Sequence, residues 1–288
     1  MKRLLLALAV TAFSLASIAQ NNSVHPTPPP VPESVEFAGQ VYHFDRDDLY
    51  ERMDRELMTF TYMHTTSSLM LKRSERYFKQ VVPLLKAAGV PEDLKYLMVI
   101  ESNLDPKAVS VTGAAGLWQF TKATAQQYGL EVSADVDERY NVEKATKAAC
   151  KYLNSSYKKY GDWMTVAASY NAGQGGISKR LADQREISAM DLLLPEETSR
   201  YMFRVLTAKL FFENPEQFGF DVDESTYYPY REPKRIVTVT EPIPSLVDFA
   251  KKYGVSYYAL KSANLWLRSD KLTNPSGKAY QIIIPAVR

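Results

Sequence analysis

The sequence predicts a mainly α-helical protein in which a larger helical domain is followed by a small β-α-α-β domain. Apolar residues recur at three- and four-residue spacing through most of residues 47–212, as in amphipathic helices. After Tyr227, the β-branched run IVTVT and the later run QIIIP instead predict strands. The 288 residues are 45% hydrophobic and 24% charged, which is enough for a buried core and excludes a disordered chain.

The N-terminus has the layout of a secretory signal peptide. Lys2 and Arg3 precede an apolar run over residues 4–19, which ends in small residues. A membrane anchor is the alternative, but the run is barely long enough to cross a bilayer and polar residues follow it. We therefore predict a cleaved signal over residues 1–19. Because no cysteine stands at the cleavage site, a lipoprotein is not predicted.

Charge, cysteine and histidine content limit the possible partners. Lys and Arg number 35 against 33 Asp and Glu, and two of the cations lie in the signal, so nucleic acid is not expected as a partner. The single cysteine, Cys150, is expected to be a packed side chain. His25, His43 and His64 show no ligand spacing, so we predict no metal site and no cofactor.

A proline-rich stretch separates the signal from the helices. The run HPTPPPVP predicts a stiff, extended linker within residues 20–32. Residues 33–90 are expected to form a helical extension, with helices over 47–63 and 67–88. Gly89 would close the second helix.

The next helix carries the first candidate for chemistry. In PEDLKYLMVIES, the helical period places Leu94, Leu97, Met98 and Glu101 on one face. A carboxylate at the end of an apolar stripe is either paired in a structural salt bridge or kept there because burial raises its pKa usefully. The spacing by itself favours the salt bridge.

Further helices complete a domain predicted over residues 91–225. They are expected over residues 117–128, 142–159, 163–171 and 196–212. In the small domain, residues 235–288, two short helices are expected between the strands, over 245–253 and 257–264.

Three segments together resemble a known enzyme family. The stretch from Glu101 to Leu130 resembles the lytic transglycosylase motif of the goose-lysozyme-like superfamily, and such a composite pattern is more specific than a lone glycine motif. The matching residues are Glu101-Ser102, Pro106, Ser110, Gly113, Gly116, Leu117, Gln119, Thr124-Ala125 and Tyr128-Gly129. SYNAGQGGISKR and LPEETSRYMFRVLTAK resemble its later signatures, in the same order. The resemblance covers most of residues 91–210 and is closest to the membrane-bound lytic murein transglycosylase D group.

The resemblance implies a lysozyme-like α+β fold, export to the periplasm or cell envelope, and peptidoglycan glycan strands as the partner. It implies that Glu101 protonates the oxygen between N-acetylmuramic acid and N-acetylglucosamine. Glu101 would then take the proton of the C6 hydroxyl, which closes a 1,6-anhydro ring without water. Ordinary glycosidases need a second carboxylate, for which Asp105 is the candidate by spacing. Its position before Pro106 predicts a turn instead.

The same resemblance implies roles for six further residues. Ser110 would orient the substrate acetamido group, and Gln119 would line the cleft beside it. Tyr170 and Asn171 would hydrogen-bond the sugar at the cleavage point, and Glu197 and Tyr201 would lie late in the cleft.

Each of these roles has a structural alternative. Ser110 would otherwise be a turn residue and Gln119 a solvated one. Tyr170 also fits a core stripe. Glu197 also fits a carboxylate that the helix dipole favours.

From about Arg235 the chain resembles a lysin motif, a unit that binds N-acetylglucosamine chains. EPIPS replaces its usual Gly-Asp-Thr turn, so a domain that packs without binding sugar stays an alternative. As a binding module, residues 235–288 should be removable with loss of wall affinity but not of chemistry on soluble fragments.

For the whole protein, the alternatives to a lytic transglycosylase are a hydrolytic muramidase of the same fold and a noncatalytic wall-binding protein. A monomer is expected, and the sequence identifies no protein partner.

Overall fold

The computed structural model describes residues 26–286. The predicted signal and residues 20–25 of the predicted linker lie outside the described residues. The rest of the linker lies against the main domain, where Val31 packs on the core and Pro26 abuts Gly219. No helix within residues 26–286 has the length and apolar character needed to cross a membrane.

The described chain opens with a β-hairpin, where the sequence predicts only helices. Strands β1 (Ser34–Phe37) and β2 (Gln40–His43) pair antiparallel. Ala38 and Gly39 both have positive φ, 55° and 81°, as a two-residue hairpin turn requires. Phe37 is fully buried, so the hairpin covers one end of the helical core.

The main domain is helical, as predicted. Its helices are α1 (Asp47–Tyr62), α2 (His64–Ala87), α3 (Lys95–Ser102), α4 (Lys122–Gln127), α5 (Val142–Tyr160), α6 (Trp163–Ala172), α7 (Gln174–Gln184) and α8 (Glu196–Glu213). Side chains of Thr121, Asn141 and Asp162 accept hydrogen bonds from the first turns of α4, α5 and α6. These caps fix where the three helices begin.

One predicted helix boundary was wrong, and one helix was missed. The helix predicted over residues 117–128 begins only at Lys122, because the backbone from Gly116 to Phe120 folds into a tight loop instead. Helix α7 was not predicted at all. Its sequence, QGGISKRLADQ, contains two glycines near the start and buries only Ile177, so the apolar period is nearly absent.

Helix α8 lies at the centre of the domain and packs against α1, α3 and α6. Phe203, Leu206 and Phe211 are fully buried on it. Arg200 also forms a bidentate ion pair with the buried carboxylate of Glu56, at 2.6 and 3.1 Å, which fixes α1 against α8. The helix that carries Glu101 therefore packs on a rigid support.

Helix α3 begins after a 3₁₀ turn over Glu92–Leu94, and it buries the predicted apolar face. Leu97 and Met98 have no exposed surface. Asn103 and Leu104 then take positive φ, 49° and 56°, which ends the helix directly after Ser102.

The C-terminal unit has the predicted β-α-α-β order. It consists of β3 (Arg235–Val239), α9 (Leu246–Lys252), α10 (Tyr257–Ala263) and β4 (Tyr280–Ile284). β3 and β4 pair antiparallel, with Arg235 opposite Ile284. Its apolar core also includes three residues of the main domain, Ala115, Val136 and Tyr140. The unit is therefore packed onto the main domain.

Candidate active site

Glu101 lies at the end of α3 with a half-buried side chain. Its Oε1 accepts a hydrogen bond from the Tyr201 hydroxyl at 2.7 Å. No salt bridge among residues 26–286 includes Glu101, so this residue is not paired in a structural salt bridge. Burial raises the pKa of Glu101 to about 7, although the Tyr201 hydrogen bond and the charge of Arg204 act in the opposite direction.

Helix α8 supplies the groups that surround this carboxyl. Tyr201 is 3% exposed, and burial holds the pKa of its hydroxyl well above the ordinary value, so it stays a hydrogen-bond donor. Glu197 precedes Tyr201 by four residues and Arg204 follows it by three, which places all three on one face. The exposed Glu197 raises the pKa of Glu101 and Arg204 lowers it.

Tyr170 lies close enough to Glu101 for the charge of Glu101 to raise the pKa of the Tyr170 hydroxyl. Burial, followed by the charge of Glu101, raises the pKa of Tyr170 well above the ordinary value. Its hydroxyl donates to the backbone carbonyl of Trp118 at 2.7 Å, and its ring packs edge-on against Trp118 and Tyr152. Tyr170 therefore joins the carboxyl to the loop that ends at Phe120.

Asn171 lies at the end of α6, where its Oδ1 accepts a hydrogen bond from the Thr198 hydroxyl at 2.8 Å. This contact orients the amide and leaves its Nδ2 as a donor. Thr198 was not predicted from the sequence. Its place three residues before Tyr201 on α8 is the signal that could have identified it, and Arg204 could have been found from the same spacing.

Ser110 and Gln119 lie in a loop over residues 108–120, which we call the glycine loop. The Ser110 hydroxyl accepts a hydrogen bond from the Ala114 N–H at 3.0 Å, so it takes part in the turn. Gln119 has a φ of 48°, and its Nε2 donates to the carbonyls of Ala108 and Gly116 at 3.1 and 2.8 Å. Both side chains brace the loop, and neither hydrogen-bonds Glu101.

Gly116 is required for this loop to pack. A Cβ atom there would lie 2.1 Å from the carbonyl oxygen of Arg139, and φ is 78°. Any other residue would push the glycine loop away from the segment that holds Arg139.

Asp105 lies in a turn, as its place before proline predicts. Its Oδ1 accepts from the Lys107 N–H at 2.9 Å, and its side chain is 42% exposed. It therefore does not share a buried face with Glu101.

Two other side chains have structural positions. Trp118 is fully buried and its indole N–H donates to Thr146, so it belongs to the core. Cys150 is buried and burial raises the pKa of its thiol to about 11, which makes it a poor nucleophile. Between residues 26 and 286, no three or more His, Cys, Asp or Glu side chains lie together as metal ligands would.

These contacts bring Glu101, Tyr170 and Tyr201 together in one partly buried site. A carboxyl with a pKa near 7 can donate a proton at neutral pH and accept one back in the same turnover. The Tyr201 hydrogen bond stabilises the carboxylate form that exists between those two transfers.

Comparison with known proteins identifies two matching domain families. Residues 84–191 match the transglycosylase SLT domain family, and residues 235–288 match the soluble lytic transglycosylase C-terminal LysM-like domain family. Membrane-bound lytic murein transglycosylase D of Escherichia coli K12 is 28% identical over 247 residues, which cover 83% of this chain and 52% of that protein. The peptidoglycan transglycosylase gp16 of Escherichia phage T7 is 44% identical over 94 residues, 32% of this chain and 7% of that protein.

Among solved structures, the 70 kDa soluble lytic transglycosylase Slt70 of Escherichia coli aligns with a TM-score of 0.41 at 18% identity, over 61% of this chain and 32% of that one. The chain spans about half the length of the first curated relatives it matches. The chain therefore carries a transglycosylase SLT domain followed by a LysM-like domain, and it is related to the lytic murein transglycosylases.

Proposed function

We propose that this protein is a peptidoglycan lytic transglycosylase that cleaves the MurNAc-β-1,4-GlcNAc bond without water and leaves a 1,6-anhydro-MurNAc end. The observation that carries the proposal is the raised pKa of the Glu101 carboxyl. Burial, with no cation paired to it, raises its pKa to about 7, so one carboxyl can act first as an acid and then as a base.

In the first step, protonated Glu101 gives its proton to the glycosidic oxygen as the bond to C1 of MurNAc breaks. The substrate's own acetamido oxygen stabilises the cationic carbon, and Glu101 becomes a carboxylate. In the second step, the C6 hydroxyl attacks C1 and Glu101 takes its proton. The carboxyl is thus returned to its starting form.

The positions of the surrounding groups support specific roles in these steps. Tyr201 donates to Oε1 and Arg204 adds positive charge nearby, so both favour the carboxylate that exists between the steps. Ser110 would meet the acetamido group, with Gln119 holding the loop around it. Asn171 offers its free amide N–H groups to a sugar hydroxyl.

The contacts give less support to the substrate-binding roles of Tyr170 and Glu197. The Tyr170 hydroxyl already donates to the carbonyl of Trp118, so we propose that Tyr170 contacts the sugar only through its ring edge or by accepting a hydrogen bond at its hydroxyl oxygen. Glu197 would act at the exposed rim of the cleft and through its charge on Glu101.

The domain division and location follow the same proposal. Residues 91–225 would form the catalytic domain behind the extension 33–90, and residues 235–288 would hold glycan strands. The predicted signal over 1–19 and linker over 20–32 would place the enzyme in the periplasm or cell envelope.

Product analysis tests the proposed reaction. Purified peptidoglycan is digested with the protein, and the fragments are measured by mass spectrometry. A 1,6-anhydro end is one water lighter than the reducing end that a hydrolytic muramidase leaves. Anhydro fragments in the wild-type digest and none with Glu101→Gln would support the proposal. Reducing ends would show a muramidase, and no fragments at all would favour a binding protein.

A further inference from the structure

A chain of contacts runs from the C-terminal unit to the glycine loop. The first contact crosses the boundary between the two domains, where the Asp137 N–H donates to the carbonyl of Trp266 at 2.8 Å. Val136 forms an isolated β-bridge with Leu267 beside it, and the Arg268 N–H donates to Asp135. The segment 131–140 is thus joined to the C-terminal unit through backbone bonds.

The next contact is the ion pair between Asp137 and Arg139. Arg139 Nε and Nη2 lie 2.9 and 2.7 Å from the two carboxylate oxygens, a bidentate arrangement that fixes the guanidinium plane. Both side chains are nearly buried, with 9% and 11% of their surface exposed. A pair this well oriented and shielded from water has little freedom to move.

Arg139 then reaches the glycine loop. Its Nη1 donates to the carbonyl of Gly113 at 2.7 Å and to that of Phe120 at 3.2 Å. Gly113 closes the turn that begins at Ser110, and Phe120 directly follows Gln119 at the end of the loop. The loop backbone is therefore held by a side chain that the C-terminal unit holds in turn.

Apolar packing and charge reinforce the same boundary. Ala115 of the glycine loop is 1% exposed within the core of the C-terminal unit, and Arg268 stacks on the ring of Tyr140 at 4.2 Å. Lys278 reaches back to Glu131 and Glu138 at 2.8 and 3.0 Å. A module that only tethers the enzyme to the wall needs none of these contacts.

We propose that the C-terminal unit positions the glycine loop for catalysis, with Arg139 as the positioning residue that connects them. This inference rests on the proposed function, since it concerns where Ser110 meets the substrate. It replaces the expectation that residues 235–288 can be removed without loss of chemistry, because removal would expose Ala115 and free the segment 131–140.

The first test is Arg139→Lys in the full chain, which keeps the charge but loses the bidentate pair. We expect faster amide hydrogen exchange over residues 108–120 and a kcat about tenfold to a hundredfold lower, with KM little changed. The pH at which activity declines should stay near that of the wild type, because Arg139 is not among the charges that shift Glu101. Unchanged exchange, or faster exchange with wild-type kcat, would overturn the proposal.

The second test crosses the boundary, so that it does not depend on how Arg139→Lys folds. Lys278→Met should lower kcat, and Lys278→Arg should restore it. In a double-mutant cycle, the loss of kcat in the Lys278→Met/Ser110→Ala double variant should be smaller than the product of the two single losses. Once Ser110 has no hydroxyl, misplacing that residue costs little further activity. By contrast, the losses of kcat caused by Lys278→Met and Glu197→Gln should multiply in the double variant.

A matched control for Lys278→Met is Lys179→Met, which removes an exposed lysine paired with Asp183 on α7 and should leave activity unchanged. If the losses of kcat from Lys278→Met and Ser110→Ala multiplied fully, the proposed link between the C-terminal unit and the position of Ser110 would be refuted. The exchange measurement needs no substrate, so it tests the loop contacts even if the digest yields no anhydro fragments and the proposed function fails.

Discussion

Burial acts on two glutamates of this protein whose pKa values are shifted in opposite directions. Glu101 at the end of α3 has one hydrogen-bond partner, the neutral hydroxyl of Tyr201, and burial raises its pKa to about 7. Glu138 at the domain boundary is 2% exposed. Burial raises its pKa too, but the Glu131 N–H and the ammonium groups of Lys144 and Lys278 outweigh burial, so its pKa lies below the ordinary value.

The comparison shows that burial alone does not make a carboxyl an acid catalyst. What separates the two sites is whether cations accompany the carboxylate into the interior. Glu138 is an anion at neutral pH and fastens the C-terminal unit, whereas Glu101 can change its charge near neutral pH. The two sites should therefore respond differently to the same Glu→Gln substitution.

The largest expected effect is the loss of activity in Glu101→Gln. The amide cannot donate the proton, so cleavage of glycan strands should fall about a thousandfold, measured as fragment release from purified peptidoglycan. Folding should be retained. The raised pKa stabilises the wild-type fold below about pH 4.5, and this stabilisation is lost as pH rises through about 7, so above pH 7 the variant should be at least as stable as the wild type. Activity near the wild-type value would remove Glu101 from the mechanism.

Glu138→Gln should instead lower the stability of the fold. Removing this carboxylate leaves Lys144 without its partner, while Lys278 keeps Glu131, and both lysines are partly exposed. The loss of these charged hydrogen bonds should cost about 1.5 kcal/mol or more in the free energy of unfolding. Urea unfolding at pH 7 measures this cost. The matched control is Glu143→Gln, whose partner Lys147 is exposed, and it should cost about 0.5 kcal/mol or less. Equal losses in the two variants would contradict the comparison.

The stabilisation that Glu138 contributes should also depend on pH in the opposite sense to that of Glu101. A lowered pKa stabilises the fold above the ordinary value of about 4.5, and this contribution is lost as pH falls through the folded-state pKa. The gap in stability between wild type and Glu138→Gln should therefore close in acid.

A smaller effect is expected from the neighbouring residues that shift the pKa of Glu101. Tyr201→Phe and Arg204→Gln each remove a contribution that lowers its pKa, so the alkaline decline of kcat/KM should move to higher pH. Glu197→Gln removes a contribution that raises it, so the decline should move to lower pH. The pH profile of kcat/KM on soluble glycan chains, at fixed ionic strength, measures all three. Shifts of the same sign in Arg204→Gln and Glu197→Gln would show that charge is not the cause.

The sequence was sufficient to predict that Glu101 lies at the end of the apolar face of a helix, because a helix fixes which residues share a side. It was also sufficient for the β-α-α-β order, which depends on runs of β-branched residues. The hairpin at Ala38 and Gly39 was missed because its strands have only four residues each. The contact of Arg139 with the glycine loop could not be found from spacing, since Gly113 and Phe120 lie 26 and 19 residues away and meet it only through the tertiary fold.

The smallest effect is expected for Asp105→Asn, which separates a one-carboxylate mechanism from a two-carboxylate one. Asp105 is the nearest carboxylate to Glu101 in sequence, but its Oδ1 is bonded to the Lys107 N–H and its side chain is 42% exposed. An asparagine keeps that acceptor, so cleavage should change by less than about twofold. The control is Asp105→Ala, which loses the turn bond and should lower thermal stability slightly with little effect on kcat. A loss in Asp105→Asn approaching that of Glu101→Gln would show that two carboxylates act on the bond, as in a hydrolase, and would undo the contrast between Glu101 and every other carboxylate in the chain.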